Sequence, residues 1–295
     1  MAFSGIDDLV SEMGAGKYIK QPFSRILDTG ATTAAGRWHS CITTGGTGGA
    51  MTVTGSAGVG VAFSSSTVGA LPINAAVATD TRHLLTLLGF TSATTITPAV
   101  LLLTDIIHVY PSCVLTGSPT ALSGHPVWTG TGSTRMTNPN GVQASVLVTT
   151  ATTAGNGQIT LNYRDQGGLD QSQVGSLYAV STTHPAGCFY AAANSAVSLG
   201  GLYMQTAAGD RGVDRINSYT INTGATTGVG AFILHRPIAS IPLNAVNLVT
   251  ERNFIQDAIA LPRIYDDSCL ALFVMTGGST TTNQIIQGEL SYAWG

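Results

Sequence analysis

The sequence predicts a mainly β protein, a β-sandwich or jelly-roll of antiparallel sheets with a few short helices. Three observations indicate this class. Apolar or alternating runs of strand length recur along the chain and end at Gly, Thr, Asn or Pro. Glycine accounts for 36 of the 295 residues, which suits many tight turns. Strands do not alternate with long amphipathic helices, as they would in a parallel α/β fold.

The last part of the chain gives the clearest strand predictions. CLALFVM at 269–275 is typical of a buried strand, and GGSTTTN after it is typical of a loop. A second strand follows, with one face formed by alternate residues: Ile286, Gly288, Leu290, Tyr292 and Trp294. We therefore expect the final segment to be built into a sheet.

Two other segments also predict strands. Residues 142–148 and 158–163 are apolar or alternating, and the turn-rich TTATTAGNG between them predicts a hairpin. Residues 43–70 are rich in Gly and Thr and could form a linker. Their apolar interruptions favour thin strands joined by glycine-rich turns instead: Val53, Val59, Val61 and Phe63.

Three short helices are predicted. Residues 4–7 have the spacing of a capping box, and apolar residues follow at helical spacing up to Gly14: Ile6, Leu9, Val10 and Met13. Asp80 could cap a helix over TRHLLTLLG that ends at Gly89. Thr250 could open another over ERNFIQDAIA, which must end before Pro262.

The chain divides into three predicted regions: an N-terminal helix and arm at 1–25, a first β region at 26–135 and a second β region at 136–295. The two β regions could also form one compact unit. Arg135 and Arg263 each precede an amide or acidic turn and then an apolar strand. This shared order suggests a duplicated β unit, with chance similarity as the alternative.

Charged residues are scarce. The chain has 12 basic and 15 acidic residues, 9% of the total, against roughly 25% in an ordinary globular domain. Lys and Arg do not cluster, so we expect no binding to nucleic acid or to an anionic membrane surface. The longest apolar stretch, 99–110, contains Asp105 and His108, so no membrane-spanning helix is predicted. The first residues include acids where a signal peptide would be basic, which predicts synthesis in a cytoplasm without export.

No cofactor or metal site is predicted. The four cysteines lie far apart and are expected to be buried free thiols, and the six histidines show no ligand spacing. Acids gather in three segments, at 165–171, 209–215 and 265–268. Their oxygens would suit Ca²⁺, but none has the spacing of an EF-hand, so we expect ordinary acidic turns.

Residues 26–31 read ILDTGA, the string in which aspartic proteases carry their catalytic carboxylate. In a dimeric protease of the retroviral type, Asp28 would pair with its copy, and 45–49 would form the flap. Leu87-Leu88-Gly89 would then lie near the position of the apolar-apolar-Gly motif that such proteases carry. These three residues better fit the end of a short helix.

A repeat of the string argues against catalysis. TGATT recurs at 223–227, after Asn222, where it fits a turn between two strands. Asn222 cannot supply the second carboxylate that a two-lobed protease requires. The sequence also lacks a GxSxG elbow and a phosphate-binding loop. We therefore predict that Asp28 lies in a turn and that the protein is not an enzyme, with an aspartic protease as the alternative.

Several blocks of the sequence resemble virion structural proteins of tailed bacteriophages. They are MAFSGIDDLVSEMGAGKY, RHLL followed by PAVLLLTDIIHVYP, NPNGVQASVLV, AAGDRGVDRINSYTINTG leading to FILHRPIASIPL, and the final ELSYAWG. The resemblance implies a multicopy component of the virion. A β-rich, homotrimeric capsid decoration or cement protein, in contact with copies of itself and with other capsid proteins, is the first expectation. A major capsid protein and a tail or fibre protein are the alternatives.

The composition fits such a role independently, because a neutral surface rich in small residues loses little hydration when neighbours pack against it. The candidate assembly residues lie in an N-terminal arm expected to dock on a neighbouring subunit: Lys17, Tyr18, Lys20 and Phe23. The alternative is a terminal helix packed on the protein's own core.

A function of another class, glycan or host-surface binding, would use exposed aromatic residues as stacking platforms. The candidates are Trp38, Trp128, Trp294, Tyr178, Tyr190 and Tyr203. Such residues otherwise fill the cores of sandwiches.

Overall fold

The computed structural model of the chain contains fifteen strands and two α-helices in the residues that it describes. These are residues 3–28, 35–74, 77, 79–92, 96–115, 120–129, 135–152, 158–178, 184–190, 201–222, 228–257, 260–279 and 284–295. Parts of three predicted turns lie outside them, at 29–31, 153–157 and 223–227, as does the end of the predicted loop at 280–283.

The helices are α1 (Ile6–Gly14) and α2 (Phe254–Asp257), with a 3-10 turn at Arg135–Thr137. The strands are β1 (Tyr18–Ile26), β2 (Arg37–Ser40), β3 (Val61–Ala62), β4 (Arg82–Thr91), β5 (Ala99–Val114), β6 (Thr120–Ala121), β7 (Gln143–Thr150), β8 (Gln158–Asp165), β9 (Asp170–Tyr178), β10 (Val213–Asn222), β11 (Val229–Leu243), β12 (Thr250–Asn253), β13 (Arg263–Ile264), β14 (Leu270–Thr276) and β15 (Ile285–Trp294).

The strands form three antiparallel sheets, which confirms the predicted mainly β fold class. The terminal sheet has the order β1-β15-β4-β12, with β13 also paired to β4. The central sheet has the order β2-β14-β5-β11-β7, with β3 on β5, and the small sheet has the order β6-β10-β8-β9. Each sheet combines strands from before and after residue 135. The predicted boundary between 135 and 136 therefore does not separate the sheets.

The long pair of β5 and β11 runs through the middle of the central sheet. Neighbouring residues of β5 enter different cores. Leu101 packs with the terminal sheet, Leu102 packs under the loop 41–71, and Tyr110 packs with the small sheet. Because both faces of β5 are buried, its sequence is a nearly continuous apolar run rather than an alternating one.

Helix α1 confirms the first predicted helix. The backbone amide of Ser4 donates to Asp8 (2.9 Å), one residue beyond the acid that the capping-box spacing indicates. Leu9 is buried and packs against Leu85 and Ala293, which places the helix on the outer face of the terminal sheet.

The prediction of a helix over TRHLLTLLG is wrong, because these residues lie in β4. Leu84 and Leu87 face the core shared with the central sheet, while Leu85 faces α1. Because β4 is covered on both faces, its apolar residues do not simply alternate. Their spacing therefore resembles that of an amphipathic helix. The helix predicted from Thr250 is only partly present: 250–253 is β12, and α2 covers four residues.

The hairpin predicted between 142–148 and 158–163 is also wrong. Strand β7 pairs with β11 in the central sheet, whereas β8 lies between β10 and β9 in the small sheet. Strands β14 and β15 are present as predicted, again in different sheets. The described stretch 43–70 contains one two-residue strand, β3, and otherwise packs on the central sheet as loops.

Gly288 marks a close approach of three strands, and replacing it by alanine is expected to destabilise the terminal sheet. It pairs with Phe23 of β1 and Gly89 of β4, and a Cβ there would overlap the carbonyl oxygen of Leu88. We expect Gly288→Ala to lower the free energy of unfolding by roughly 1–3 kcal/mol in urea titrations. Gly14→Ala is the matched control, since no atom lies within 4 Å of its Cβ position. Equal midpoints for the two variants would contradict this packing.

Candidate functional site

Asp28, the residue that the sequence marks for a catalytic role, lies just after β1 and is 2% exposed. Its carboxylate accepts hydrogen bonds from the backbone amides of Ile42 (2.9 Å), Thr43 (2.7 Å) and Thr44 (2.7 Å). The hydroxyl groups of Ser40 and Thr44 also donate to it. All five donors come from one short segment, so Asp28 organises the turn at 40–44.

Arg25 binds the backbone carbonyl groups of the same loop. Its guanidinium is almost fully buried, and it donates to four backbone oxygens, those of Cys41 (2.7 Å), Ile42 (3.1 Å), Thr47 (2.8 Å) and Gly49 (2.5 Å). Burial lowers the pKa of Arg25 from its ordinary value. We call Arg25, Asp28 and residues 40–49 the loop clamp, because the two side chains bind the amides and the carbonyls of one segment.

Asp28 anchors the turn at 40–44, whereas residues 29–31, in which the sequence analysis placed its own turn, lie outside the described residues. No carboxylate is among the hydrogen-bond partners of Asp28. The proposed flap at 45–49 is bound to Arg25 and forms no strand. Leu87-Leu88-Gly89 lies inside β4, so the prediction that it ends a helix is wrong.

A cleft of about 440 Å³ opens beside Asp28. Its polar lining is mainly threonine: Thr43, Thr44, Thr52, Thr54 and Thr149. In the part of the chain that the structure describes, Asp28 is its sole charged lining residue. Because protein donors already surround that carboxylate, the cleft presents hydroxyl and backbone groups.

The candidate assembly residues all have partners within the chain. Lys17 forms ion pairs of 2.8 Å with both Glu12 and Asp80, and these bonds raise its pKa, with Asp80 contributing most. Lys20 is exposed and lies 3.3 Å from Glu289.

Tyr18 and Phe23 belong to β1, which pairs with β15 along its whole length. Phe23 is 4% exposed and lies in the core between the terminal and central sheets. The four residues therefore do not share one surface. Docking of the arm at 1–25 on a neighbouring subunit stays a prediction.

The acidic turns use their carboxylates for internal contacts. Asp165 accepts hydrogen bonds from the amides of Gly167 (2.7 Å) and Leu169 (2.9 Å), inside its own turn. Asp266 pairs with buried Arg82 at 2.8 Å. Among the described residues, no three His, Cys, Asp or Glu side chains are grouped so that they could hold a metal ion.

A buried ion pair lies where the sequence shows a single acid inside an apolar strand. Asp105 of β5 and Arg135 are both 3% exposed in their side chains and lie 2.5 Å apart. Asp105 also accepts a hydrogen bond from the amide of Cys269 (2.8 Å), and Arg135 donates to the carbonyl of Ile106 (2.9 Å). Burial raises the pKa of Asp105, and Arg135 opposes that rise. The isolated acid in AVLLLTDIIHVY was the one available signal for this pair.

Two buried histidines lie in the central sheet: His235 makes polar contacts there, and His108 packs edge-on against the ring of Tyr110. The ring nitrogens of His235 lie 2.8 Å from the hydroxyl of Thr104 and 2.9 Å from that of Ser145. Burial lowers the pKa of His235 to about 3 and that of His108 to about 4.

These pKa values predict loss of stability in mild acid. In the unfolded chain a histidine binds a proton near pH 6.5, whereas the folded chain keeps both rings neutral until about pH 4 or below. The unfolded state therefore binds more protons below pH 6.5, and each histidine should cost roughly 2 kcal/mol of stability by pH 5. Urea unfolding at pH 7 and pH 5 measures this loss. His235→Gln should reduce the difference, and an unchanged difference would contradict the assignment.

The candidate stacking residues divide between different cores. Tyr190 is buried with the small sheet, and Trp128 packs against the same core while its indole N–H donates to Asp214 (3.0 Å). Trp38 and Tyr203 pack against the core under the loop 41–71. Trp294 is partly buried, and the side chain of Tyr178 lies outside the described residues. These placements do not gather the aromatic residues on one surface.

Comparisons with known proteins leave the family of this chain open. No protein-family model matches the sequence, and no curated protein matches it. One solved structure, the D431N mutant VP2 protein of infectious bursal disease virus in derived T=1 particles, aligns at 8% identity. The alignment covers 94% of this chain and 77% of that chain, with a TM-score of 0.17. Such a score does not establish a common fold, so the comparison carries no argument. Within the described residues, every helix is too short or too polar to cross a membrane.

Proposed function

We propose that this chain is a structural component of a bacteriophage particle, a capsid decoration or cement protein that stabilises the shell by packing against it and against copies of itself. The sequence blocks described above support the bacteriophage setting by resemblance. A major capsid protein and a tail or fibre protein are the alternatives within the same particle.

The observation that carries the proposal is the distribution of charge. Four of the 12 basic residues and three of the 15 acidic ones are buried: Arg25, Arg37, Arg82, Arg135, Asp28, Asp105 and Asp165. The exterior is therefore even poorer in charge than the composition indicates.

Apolar side chains are exposed on that exterior, for example Val68 (68%), Val127 (73%) and Leu169 (66%). The centre of a protein interface is depleted of charged residues in the same way. A surface of this kind suits a molecule whose exterior is covered by neighbours.

The fold supports decoration over the other particle roles. The described helices have nine and four residues, and the resemblance to tailed-bacteriophage proteins implies a much longer spine helix for a major capsid protein. Strands of the first and last parts of the chain share sheets, which favours one rigid body suited to docking on a preformed shell.

Add-back to particles tests the proposal. Particles are prepared from the encoding genome with and without this coding sequence, and the purified chain is then added to the deficient particles. We expect saturable binding at regular surface positions by electron microscopy, together with release of the genome at a higher temperature. Absence of binding, with deficient particles as heat-stable as complete ones, would overturn the proposal. Assembly of the chain alone into closed shells would favour the major capsid alternative.

A further inference from the structure

A cleft of about 340 Å³ is lined by residues of both the central and the terminal sheet, and two of them are arginines. Arg236 belongs to β11, and Arg263 belongs to β13. Thr137 and Asn140 add a hydroxyl and an amide to the lining. Among the described residues, no acidic side chain lines this cleft. We call it the arginine cleft.

Arg236 is anchored by its own chain and keeps hydrogen-bonding capacity. It donates to the carbonyls of Asn138 (2.9 Å) and Arg135 (3.3 Å), which uses two of its five N–H groups. Its buried Nε has no hydrogen-bond partner in the described chain. Burial lowers the pKa of Arg236 and the charge of Asp105 opposes this, but an arginine starts from so high a pKa that it stays charged near neutral pH. Arg236 is therefore a fixed cation.

The acids around Arg236 are bound to a different arginine. Asp105 lies 2.5 Å from Arg135, and Asp267 lies 3.4 Å from the same side chain. None of the ion pairs within the described residues includes Arg236. Its remaining N–H groups can therefore bind an acceptor from outside this part of the chain.

The second arginine of the cleft is exposed and stacked on an aromatic ring. The guanidinium carbon of Arg263 lies 4.3 Å from the centre of the Tyr265 ring. Stacking engages the flat face of a guanidinium, whereas its N–H groups point outward in its plane. Asp266, the next acid along the chain, pairs with Arg82 at 2.8 Å. Tyr265 therefore orients a second cation in the lining of the arginine cleft.

We propose that the arginine cleft binds a carboxylate group. A guanidinium presents a planar set of N–H donors that matches the two oxygens of a carboxylate. Two such groups, from Arg236 and Arg263, line one cleft that offers no acid of its own. The hydroxyl of Thr137 and the amide of Asn140 can add hydrogen bonds to the same ligand.

The apolar part of the lining favours an organic acid over inorganic phosphate. It consists of Pro237, Ile238 and Pro262, whose side chains donate no hydrogen bonds. They would contact the carbon skeleton that a carboxylate carries and inorganic phosphate lacks. The volume of about 340 Å³ lies at the small end of the range for ligand sites, roughly 300–1,000 Å³. Two sources present such a group: a free small dicarboxylic acid and an acidic side chain of a neighbouring protein.

Calorimetric titration at low salt tests the site with succinate, its neutral analogue succinamide, inorganic phosphate, and capped peptides of three Glu or three Gln residues. We expect succinate or the Glu peptide to bind at millimolar concentration, and the neutral analogue of each to bind at least about tenfold more weakly. Arg263→Gln and Arg236→Gln should each weaken binding by a similar factor. Arg263 is exposed, so its replacement tests the site even if Arg236→Gln impairs folding.

Lys20→Gln is the matched control, because it removes one exposed positive charge of β1 that lies outside the cleft. Its affinity should stay within about twofold of the wild-type value, since solvent and salt screen a distant surface charge. Equal losses in Lys20→Gln and Arg263→Gln, equal binding of phosphate and the carboxylates, or no binding of either carboxylate would overturn the inference.

The two carboxylate probes also identify the source of the ligand. Tighter binding of succinate would support the site and assign it to a free acid. Tighter binding of the Glu peptide would support it and assign it to an acidic side chain of a neighbouring protein. The inference does not depend on the proposed function, so failure of the chain to bind deficient particles would leave it standing.

Discussion

Asp28→Ala is expected to lower the free energy of unfolding by about 3 kcal/mol, because it leaves one buried and two partly buried amides without their acceptor. The amides of Ile42, Thr43 and Thr44 all donate to this carboxylate. Urea unfolding followed by tryptophan fluorescence measures the change. The loop clamp should also loosen, so hydrogen exchange of these amides should become faster than that of the central sheet.

Glu251→Ala is the matched control for Asp28, since Glu251 is exposed on β12 and should change stability by less than about 0.5 kcal/mol. If Asp28→Ala were as stable as this control, the clamp would not hold the loop. Peptide cleavage by the wild-type chain that disappears in a folded Asp28→Asn variant would instead support the protease alternative.

Arg135→Met is expected to lower the free energy of unfolding by about 3–5 kcal/mol, because it leaves Asp105 charged and buried without its ion-pair partner. Asp105→Leu should be less destabilising, because Arg135 still lies 3.4 Å from the carboxylate of Asp267. The double replacement should cost clearly less than the sum of the single changes, since no unpaired charge remains. Thermal and urea unfolding of the four proteins measures this coupling.

Arg164→Met provides the control for the loss of an arginine. Arg164 lies 3.7 Å from Asp214, in a pair whose side chains are 36% and 17% exposed, so solvent screens the interaction. Additive effects of the two replacements at Asp105 and Arg135 would contradict a coupled pair.

Local patterns in the sequence were sufficient to predict the fold class and several helices and strands. Alternation along 286–294 indicated β15, and apolar spacing before Gly14 indicated α1. Periodicity reports one-sided burial, which holds for α1 and for the first half of β15, whereas residues 290–293 of β15 are buried on both faces. Strand β4 is buried on two sides, so the same reasoning predicted a helix at TRHLLTLLG.

Strand pairing depends on contacts between distant parts of the chain, which short-range signals do not encode. The sequence predicted a hairpin of β7 and β8, yet the two strands lie in the central and the small sheet. For the same reason Asp28 was singled out by its local string, while Arg25 was missed, since its acceptors lie 16 or more residues away in the chain. Arg236 and Arg263 likewise line one cleft only after folding.

The position of β15 has a consequence for synthesis on the ribosome. This strand lies between β1 and β4, so neither can acquire its neighbour until residues 285–294 have left the exit tunnel. Nascent chains must therefore keep the apolar edge of β4 from aggregating until β15 emerges. A bound chaperone during that interval would protect this edge.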